Sequence, residues 1–325
     1  MRGETVTDVT IEDAAPSATA LPVLPHQNWF AVALSTEVPV GGVIGVPYVD
    51  GRLALFRRSD GSVVALSSRC AHMGADLAAG DVVDDELRCM FHHFCYGADG
   101  RCTKVPSSDR IPSSARVHSF PVDESVGLVW VFNGEAPPSP PPGIAEYDPD
   151  ALVVRARRTD LFEVDPWVII ANSFDFMHLR YVHGLKFDFD ESEIRWDDRA
   201  VAYEMTFTMP DGLVANQRIS VSGTNTVSYV TGGDVDSMGL FTSTPVGHGS
   251  QSYYVAASPH GSQDEVEERL QLQEHIADEL LKDDTRALAK MRFQQGAFVA
   301  EDRSIVRYLR YVRSFPTNDP SRWLS

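Results

Sequence analysis

The sequence lacks several features that would place it in a particular class of protein. Its 325 residues contain no run of about 18 uncharged apolar residues, so we expect no membrane-spanning helix. Its first residues carry acidic side chains and no apolar run of secretory length, which predicts a cytoplasmic location. It has only 28 Lys and Arg against 46 Asp and Glu, and the net charge of -18 argues against nucleic-acid binding.

Length and composition instead indicate a soluble chain with two domains. Hydrophobic residues make up 43% and charged residues 23%, which is typical of globular proteins, and domains usually span about 100 to 200 residues. A proline-rich segment separates two regions of different pattern and is expected to be extended. We therefore expect a flexible lead-in at 1–25, a first domain at 26–136, a linker at 137–143 and a second domain at 144–325.

The two regions predict an α+β fold class overall. The first region is mostly β, with strand-like runs at 29–33, 43–48, 53–56, 63–66 and 127–132. In the second, Asp165-Pro166 is typical of a helix start, and the apolar pattern predicts a helix to about residue 181. Strand-like runs between 200 and 258 precede helical patterns at 264–295 and 299–313. These predict helices around an antiparallel sheet.

Cysteine is scarce and clustered. The four cysteines are too few for a disulfide scaffold, and all lie in one window, at Cys70, Cys89, Cys95 and Cys102. Such clustering favours a metal site over random use of cysteine in the core.

Histidines complete two short motifs in this window. Cys70-Ala71-His72 and Cys89-Met90-Phe91-His92 each supply one thiolate and one imidazole, which suits a [2Fe–2S] cluster with two Cys on one iron and two His on the other. A finger-type zinc site pairs its cysteines in one motif and its histidines in another. The mixed order favours the cluster, and zinc remains the alternative.

The segment from Cys89 to Cys102 resembles the second cluster loop and following hairpin of Rieske proteins. It departs from the family at His93-Phe94, where Gly-Trp is usual, and at Met90, where Pro is usual. These departures affect the loop conformation and the hydrogen bonds around the sulfurs, which tune the potential.

The resemblance also selects a branch of the family. High-potential Rieske proteins have an additional cysteine in each loop, and those two form a disulfide, whereas this chain has Ala75 and Phe91 there. The lower-potential branch of ferredoxins and oxygenases is therefore favoured. Cys95 and Cys102 are then expected to be ordinary thiols of the hairpin.

A second histidine motif lies in the second domain. Asp175, His178 and His183 have the D-x-x-H-x-x-x-x-H spacing that resembles the mononuclear iron site of Rieske oxygenases, and Asn172 fits the same pattern as a residue near the iron. His183 lies five residues beyond His178, about 140° round a straight helix, so the helix must end or unwind between them for both to bind one metal. The alternative is a buried helix whose histidines have ordinary hydrogen-bond partners.

The third iron ligand is expected to be a carboxylate, since two histidines and one carboxylate form the facial triad of non-haem iron enzymes. The segment with Asp302 resembles the part of the family sequence that supplies it, which makes Asp302 the predicted ligand and Glu301 the alternative. Both acids could instead only favour the positive end of a helix dipole.

The resemblance implies a separate role for Asp175. In the family, the matching aspartate forms hydrogen bonds across a subunit boundary and links an iron-bound histidine to a cluster histidine of the neighbouring chain. Here Asp175 would join His178 to His72 or His92 of an adjacent protomer. This role implies a homotrimer.

The resemblance covers residues 28 to 313 and implies an N-terminal all-β Rieske domain followed by a helix-grip (START-like) catalytic domain. It implies the oxygenase component of a Rieske non-haem iron system, with a [2Fe–2S] cluster, a mononuclear Fe(II) and O₂ as co-substrate. NAD(P)H would be oxidised by a separate reductase, because no G-x-G-x-x-G motif opens a helix after a strand. The partner would be a ferredoxin, a flavin-containing reductase, or both.

The cluster loop looks most similar to the homotrimeric subgroup that includes ketosteroid 9α-hydroxylase. That resemblance implies monooxygenation of a hydrophobic alicyclic or polycyclic compound, steroid-like or terpenoid-like. Ring dihydroxylation or O-demethylation of an aromatic compound is the alternative. A Rieske electron carrier and a lipid-binding module with a vestigial cluster remain open as other classes.

Charge is distributed unevenly along the chain. Between Arg52 and Arg116 there are nine basic and eight acidic residues, so this segment is net +1 and the remainder is net -19. A less negative cluster domain would let an acidic redox partner dock. Mixed surface charge kept for solubility explains the same counts.

Overall fold

The computed structural model describes residues 24–294 and 296–324, so most of the predicted lead-in at 1–25 lies outside the described residues. The first part of the chain contains three antiparallel sheets, in the orders β1-β11-β10, β2-β3-β4-β9 and β5-β6-β7-β8. The strands are β1 (Trp29–Leu34), β2 (Val43–Tyr48), β3 (Gly51–Arg57), β4 (Val63–Ser67), β5 (Asp81–Val83), β6 (Glu86–Arg88), β7 (Cys95–Tyr96), β8 (Cys102–Lys104), β9 (Ser119–Phe120), β10 (Val122–Ser125) and β11 (Leu128–Phe132).

Strand β3 shows why the strands of this region have continuous apolar runs rather than alternating apolar and polar residues. Leu53 and Leu55 enter one hydrophobic core, whereas Ala54 and Phe56 enter another on the opposite face. A strand covered on both faces has apolar residues at every position. All five strands expected from the sequence in this part are present.

The second part has one seven-stranded antiparallel sheet, in the order β12-β18-β17-β16-β15-β14-β13, together with the helices. This confirms the predicted α+β class. The elements are β12 (Leu152–Phe162), α1 (Pro166–Ala171), α2 (Phe176–Tyr181), β13 (Arg195–Trp196), β14 (Ala200–Thr208), β15 (Val214–Ser222), β16 (Thr226–Gly233), β17 (Ser237–Val246), β18 (Gly249–Pro259), α3 (Gln263–Leu288), α4 (Arg303–Ser314) and α5 (Ser321–Leu324).

Two differences from the sequence-based prediction have clear causes. The helix expected to run to residue 181 is two short helices joined by a 3-10 helix at Asn172–Phe174. Strand β12 was not predicted because charged residues interrupt its apolar pattern. Two of these, Arg155 and Arg157, form ion pairs with acidic residues of α3.

Helix α3 lies against the sheet and begins at a well-formed cap. The Ser262 hydroxyl accepts a hydrogen bond from the Glu265 N–H, and the Glu265 carboxylate accepts one from the Ser262 N–H. Such a capping box satisfies two backbone donors that a helix start leaves free. Val266, Leu270 and Ala277 then pack against the sheet. The predicted end at residue 295 is too late, since α3 ends at Leu288.

The two parts share a hydrophobic core. Trp29 and Trp130 of the first part are buried in the same cluster as Leu240 and Val255 of the large sheet. The chain also returns at its end, where Leu324 of α5 enters the core beside β3. Of the helices in the described ranges, none is long and apolar enough to span a membrane.

Candidate metal centres

The two predicted cluster loops have the same backbone conformation. In each loop the cysteine N–H donates to a carbonyl five residues on, and the cysteine carbonyl accepts from an N–H four residues on. The four bonds are Cys70 N–H to Ala75 O (2.9 Å), Gly74 N–H to Cys70 O (2.8 Å), Cys89 N–H to Phe94 O (2.9 Å) and His93 N–H to Cys89 O (3.0 Å). The pairing brings both predicted motifs to one end of the first domain as matched loops.

The unusual His93 occupies a position that favours glycine. His93 has φ of 56°, and the equivalent residue of the first loop, Gly74, has φ of 74°. Residues with a β-carbon are strained in this left-handed region, whereas glycine is not. The loop therefore keeps its shape despite the departure from the family pattern, at a conformational cost carried by His93.

The four side chains of the two loops could hold a two-iron cluster. The sulfurs lie on the protein side, where Cys70 and Cys89 are 4% and 1% exposed, whereas His72 and His92 are exposed at the tip. The two Nδ1 atoms face each other at 3.2 Å. Burial raises the pKa of the Cys70 thiol, so a thiolate there requires a cation beside it. Two buried sulfurs and two convergent imidazoles fit the Cys₂His₂ donor set of a [2Fe–2S] centre.

Neighbouring aromatic side chains fix these loops. The Tyr96 hydroxyl lies 3.1 Å from the Cys70 sulfur and accepts a hydrogen bond from the Ala71 N–H at 3.1 Å. The Phe94 ring stacks on His72 with centroids 4.7 Å apart. Phe94, where the family usually has Trp, thus still positions a ligand ring.

Cys95 and Cys102 lie on the adjacent strands β7 and β8. Their sulfurs contact backbone carbonyls, with Cys95 Sγ 3.6 Å from His93 O and Cys102 Sγ 3.4 Å from Lys104 O. Both are free, buried thiols, and burial raises the pKa of each. This environment matches inert core cysteines.

The second site is built by a break in the helical region. Asp175, with φ of -93° and ψ of 83°, caps α2, and its Oδ1 accepts a hydrogen bond from the His178 N–H at 2.8 Å. Helix α2 ends at Tyr181, and Gly184 follows with φ of 67°. The chain therefore unwinds between His178 and His183, as the spacing requires, and both imidazoles turn toward the same point.

Three side chains converge there. The Nε2 atoms of His178 and His183 are 2.9 Å apart, and Oδ1 of Asp284 lies 2.9 Å and 3.2 Å from them. Metal bonds of about 2.1 Å at right angles separate ligand atoms by about 3.0 Å, whereas tetrahedral angles give about 3.4 Å. The observed spacing therefore fits one face of an octahedron. The arrangement is a two-histidine, one-carboxylate set that could hold a single metal ion.

Asp302, the predicted third ligand, is not among the three side chains that converge here. Its Oδ2 accepts a hydrogen bond from the Val299 N–H at 2.8 Å, and its side chain makes no capping hydrogen bond to α4. The alternative, Glu301, is exposed. Both acids lie in the 3-10 helix Ala300–Asp302 that precedes α4. The structure brings Asp284 to the histidines instead, from near the end of α3.

Asp284 has a pattern that sequence reasoning could have used. Ala277, Leu281, Asp284 and Leu288 recur at helical spacing on the face of α3 that turns toward the cavity. An acid on such a face is unusual because burying an unpaired charge is costly.

The side chains of Asp284 and His178 each shift the pKa of the other. Burial raises the pKa of the Asp284 carboxyl, but the imidazoles of His178 and His183 outweigh burial and lower it to about 2. For His178, burial lowers the pKa and Asp284 more than offsets it, so the net shift is upward. The site thus favours a carboxylate with positive charge beside it, which a bound cation would also supply.

A cavity of about 270 Å³ opens on the triad, between the concave face of the large sheet and α3. Asn172 lines it, as do Met205 and Phe207 of β14 and Leu280 of α3. Among the described residues around this cavity, none is Lys or Arg. Phe174, Phe187 and Phe189, which follow or adjoin the histidine motif, pack in the hydrophobic core instead.

Comparison with known proteins agrees with this architecture. Residues 28–121 match the Rieske [2Fe-2S] domain family, and residues 129–311 match the 3-ketosteroid 9α-hydroxylase C-terminal domain family. Among solved structures, dicamba monooxygenase bound to 3,6-dichlorosalicylic acid is similar with a TM-score of 0.71 and 23% identity, over 90% of this chain and 97% of that one. Pseudomonas putida NdmA with caffeine gives a TM-score of 0.67 at 19% identity, over 88% and 90%.

Curated relatives share shorter segments. The oxygenase component of 3-ketosteroid-9-alpha-monooxygenase of Mycobacterium tuberculosis is 34% identical over 172 residues, which is 51% of this chain and 45% of that protein. The putative iron-sulfur subunit TsaM2 of the toluene-4-sulfonate monooxygenase system of Comamonas testosteroni is 30% identical over 171 residues, 50% and 47% respectively. The matched part is thus about half the length of these relatives. The chain belongs to the Rieske oxygenase family, with a Rieske [2Fe-2S] domain followed by a 3-ketosteroid 9α-hydroxylase C-terminal domain.

Proposed function

We propose that this chain is a terminal oxygenase that hydroxylates a neutral, hydrophobic alicyclic or polycyclic compound, such as a steroid or terpenoid. Electrons would enter through a [2Fe–2S] cluster held by Cys70, His72, Cys89 and His92. Fe(II) would be held by His178, His183 and Asp284. The observation that carries the proposal is the facial triad at an apolar cavity whose described lining has no basic residue.

The bound iron would supply a place for O₂ to be activated, and the cluster would supply the electrons. The protein would provide the rest. Three ligands on one face leave other positions open, and Asp175 holds the backbone of His178 in place. Met205, Phe207 and Leu280 would exclude water and orient an apolar substrate beside the triad.

The charge of the cavity selects the substrate class. A carboxylate or sulfonate buried there would lack a cationic partner, and such burial is costly. One relative is named for toluene-4-sulfonate, which is an anion, and another is named for 3-ketosteroid, which has no charged group. The lining of this cavity fits the second kind of compound.

Hydroxyl and amide groups on the sheet could bind a substrate oxygen. The hydroxyls of Tyr229 and Tyr254 lie 2.8 Å apart on the cavity wall. Gly239 between them permits this approach, since a β-carbon there would lie 2.8 Å from the Tyr229 hydroxyl. Gln217 donates to Thr231 Oγ1 at 2.9 Å farther along the same wall. The Tyr254 hydroxyl also donates to Gln273 O at 3.3 Å, so both tyrosine protons are engaged. The second amide N–H of Gln217 and the Thr231 hydroxyl are the donors that a substrate carbonyl or hydroxyl would find.

We further propose that the chain works as a homotrimer, with Asp175 linking His178 to His72 or His92 of a neighbouring protomer. Support comes from the placement of Asp175, whose Oδ1 already binds the His178 N–H, and from the exposure of both cluster histidines. A separate ferredoxin or flavin-containing reductase would deliver electrons from NAD(P)H in the cytoplasm.

The test combines metal analysis with substrate screening. About three irons and two sulfides per chain, with a Rieske-type EPR spectrum on reduction, are expected. Two irons would indicate an electron carrier, and zinc without sulfide would reject the cluster. With a surrogate reductase, neutral steroids and terpenoids should stimulate NADH consumption and yield hydroxylated products. Faster turnover of benzoates or sulfonates would reject the proposed substrate class, and a dihydroxylated or O-demethylated aromatic product would favour that alternative.

A further inference from the structure

A groove of about 880 Å³ lies beside the first cluster loop and reaches Cys70 and Ala71. Three arginines line it: Arg69 next to the cysteine, Arg116 before β9, and Arg322 of the C-terminal helix α5. They meet only in the folded chain, because Arg322 lies more than two hundred residues from the others. The groove is separate from the substrate cavity.

These arginines differ from others in the same domain. Arg57 and Arg88 form close ion pairs, with Glu124 and Asp81. In the described ranges 24–294 and 296–324, no carboxylate lies within 4.0 Å of the three groove arginines. All three are exposed. A chain of net charge -18 thus presents three arginines without a close ion pair beside Cys70, with Glu135 in the same groove.

The C-terminal helix is anchored so that Arg322 is held in this place. Trp323 stacks on His118, with ring centroids 3.9 Å apart and planes within 2°. Leu324 is buried in the core of the cluster domain. The Arg322 guanidinium lies 4.2 Å from the Trp323 ring centroid, a cation–π contact. The C-terminal end of the chain therefore completes the groove beside the first cluster loop.

Burial and the positive charge of two of these arginines lower the pKa of a histidine inside the groove. Burial first, then the charges of Arg322 and Arg116, lower the pKa of His118 to about 4. His118 is therefore neutral at neutral pH, and the charge of the groove is that of its arginines and of Glu135. Balanced mixed charges, the alternative explanation of the segment's composition, would not produce this local excess.

We propose that the groove lined by Arg69, Arg116 and Arg322 is the docking surface for an acidic electron donor of the [2Fe–2S] ferredoxin type. This inference rests on the proposed function, since it gives the cluster its source of electrons. One electron passes from the reduced donor, which is oxidised, to the cluster held by the two loops, which is reduced. Charge complementarity speeds such encounters and places the donor where the groove reaches Cys70.

The test measures binding of an oxidised plant-type ferredoxin to the cluster-loaded protein, independently of turnover. Arg322→Glu is the main variant because it lies far from the cluster ligands in sequence, and Arg58→Glu reverses a charge in the same domain outside the groove lining. Affinity is measured at about 20 mM and about 300 mM salt, which screen charge to different degrees. Stopped-flow reduction of the cluster by the reduced ferredoxin follows, with dithionite reduction as a check on cluster integrity.

Arg322→Glu should weaken binding at low salt at least about fivefold and slow cluster reduction by a similar factor, with less salt dependence than the wild type. Arg116→Glu should behave alike, and the double variant should lose more. Arg58→Glu should stay within about twofold of the wild type. Unchanged binding in both groove variants, or an equal loss in Arg58→Glu, overturns the docking surface. If binding follows these expectations but no substrate is hydroxylated, the proposed function fails and the docking surface stands.

Discussion

The two histidine sites differ in how the fold presents them. His72 and His92 are exposed at the tip of two matched loops, whereas the side chains of His178 and His183 are 10% and 6% exposed in the lining of the cavity. An exposed imidazole suits electron exchange with another molecule or subunit, and a buried one suits chemistry that must exclude water. The comparison indicates that one chain separates electron entry from oxygen chemistry by burial.

The sites also differ in how far apart in the sequence their parts lie. Each cluster loop is closed by two backbone hydrogen bonds around its cysteine. The second site depends on a helix break at Asp175 and on a ligand from the distant helix α3. The first site is thus local in sequence, and the second exists only when the large sheet and α3 have packed together.

The largest effect should come from removing a sulfur of the first site. Cys89→Ala is expected to abolish the cluster, with loss of its visible absorption and of electron transfer, because no other thiol can complete the four-ligand set. Iron at the second site should be retained. Cys102→Ala is the matched control and should keep both the cluster and its EPR spectrum. A cluster that survives Cys89→Ala, or is lost only in Cys102→Ala, would contradict the assignment.

A positive charge inside the cavity should reverse the preference for neutral over anionic substrates. Gln217→Lys places a cation on the cavity wall and should reduce turnover of neutral substrates by about tenfold or more while improving that of anionic ones. Asn216→Lys adds the same charge on the opposite face of β15 and should leave turnover near that of the wild type. Comparison of kcat/KM for one neutral and one anionic substrate gives the answer. Equal behaviour of the two variants would show that cavity charge does not select substrate.

Asp175 links the two sites in the proposed trimer. Asp175→Asn keeps an oxygen for the His178 N–H but removes the negative charge, so turnover should fall by about tenfold or more with little change in Tm. Reduction of the cluster by dithionite should stay normal, and its reoxidation in the presence of substrate and O₂ should slow. Near-normal turnover would leave Asp175 only its role as a helix cap.

Backbone strain within the two cluster loops should give the smallest effect. His93→Gly relieves a left-handed backbone and should stabilise the protein by about 1 kcal/mol, whereas Gly74→Ala imposes one and should cost about 1 kcal/mol. A β-carbon at Gly74 meets no atom within 4 Å, so the cost is conformational alone. Thermal unfolding of the cluster-loaded proteins measures both. Shifts of the same sign would reject the strain at His93.

The residues that sequence reasoning predicted are those whose partners lie nearby in the chain. The strands of the first domain, both cluster motifs and the helix break between His178 and His183 follow from local spacing. Asp302 stays a prediction that rests on family resemblance, because local spacing does not tell which face of which helix meets the histidines. Asp284 lies about a hundred residues from them, and only packing of α3 on the sheet brings it there.

The charges of the groove and of the cavity lining could not be predicted from local sequence either. Counting charges between Arg52 and Arg116 found a weak excess, but Arg322 is supplied by a helix that returns from the other end of the chain. The absence of basic residues from the described cavity lining depends on the register of six strands. Neither property can be predicted from a single segment of the sequence.

Iron content in two aspartate variants tests the central claim most directly. Asp284→Ala should retain about two irons and two sulfides per chain and lose the third iron with all oxygenase activity. Asp302→Ala should retain about three irons and lose only about 1 kcal/mol of stability, with the hydrogen bond that its carboxylate accepts from the Val299 N–H. A third iron that survives Asp284→Ala but is lost in Asp302→Ala would contradict the metal site described here.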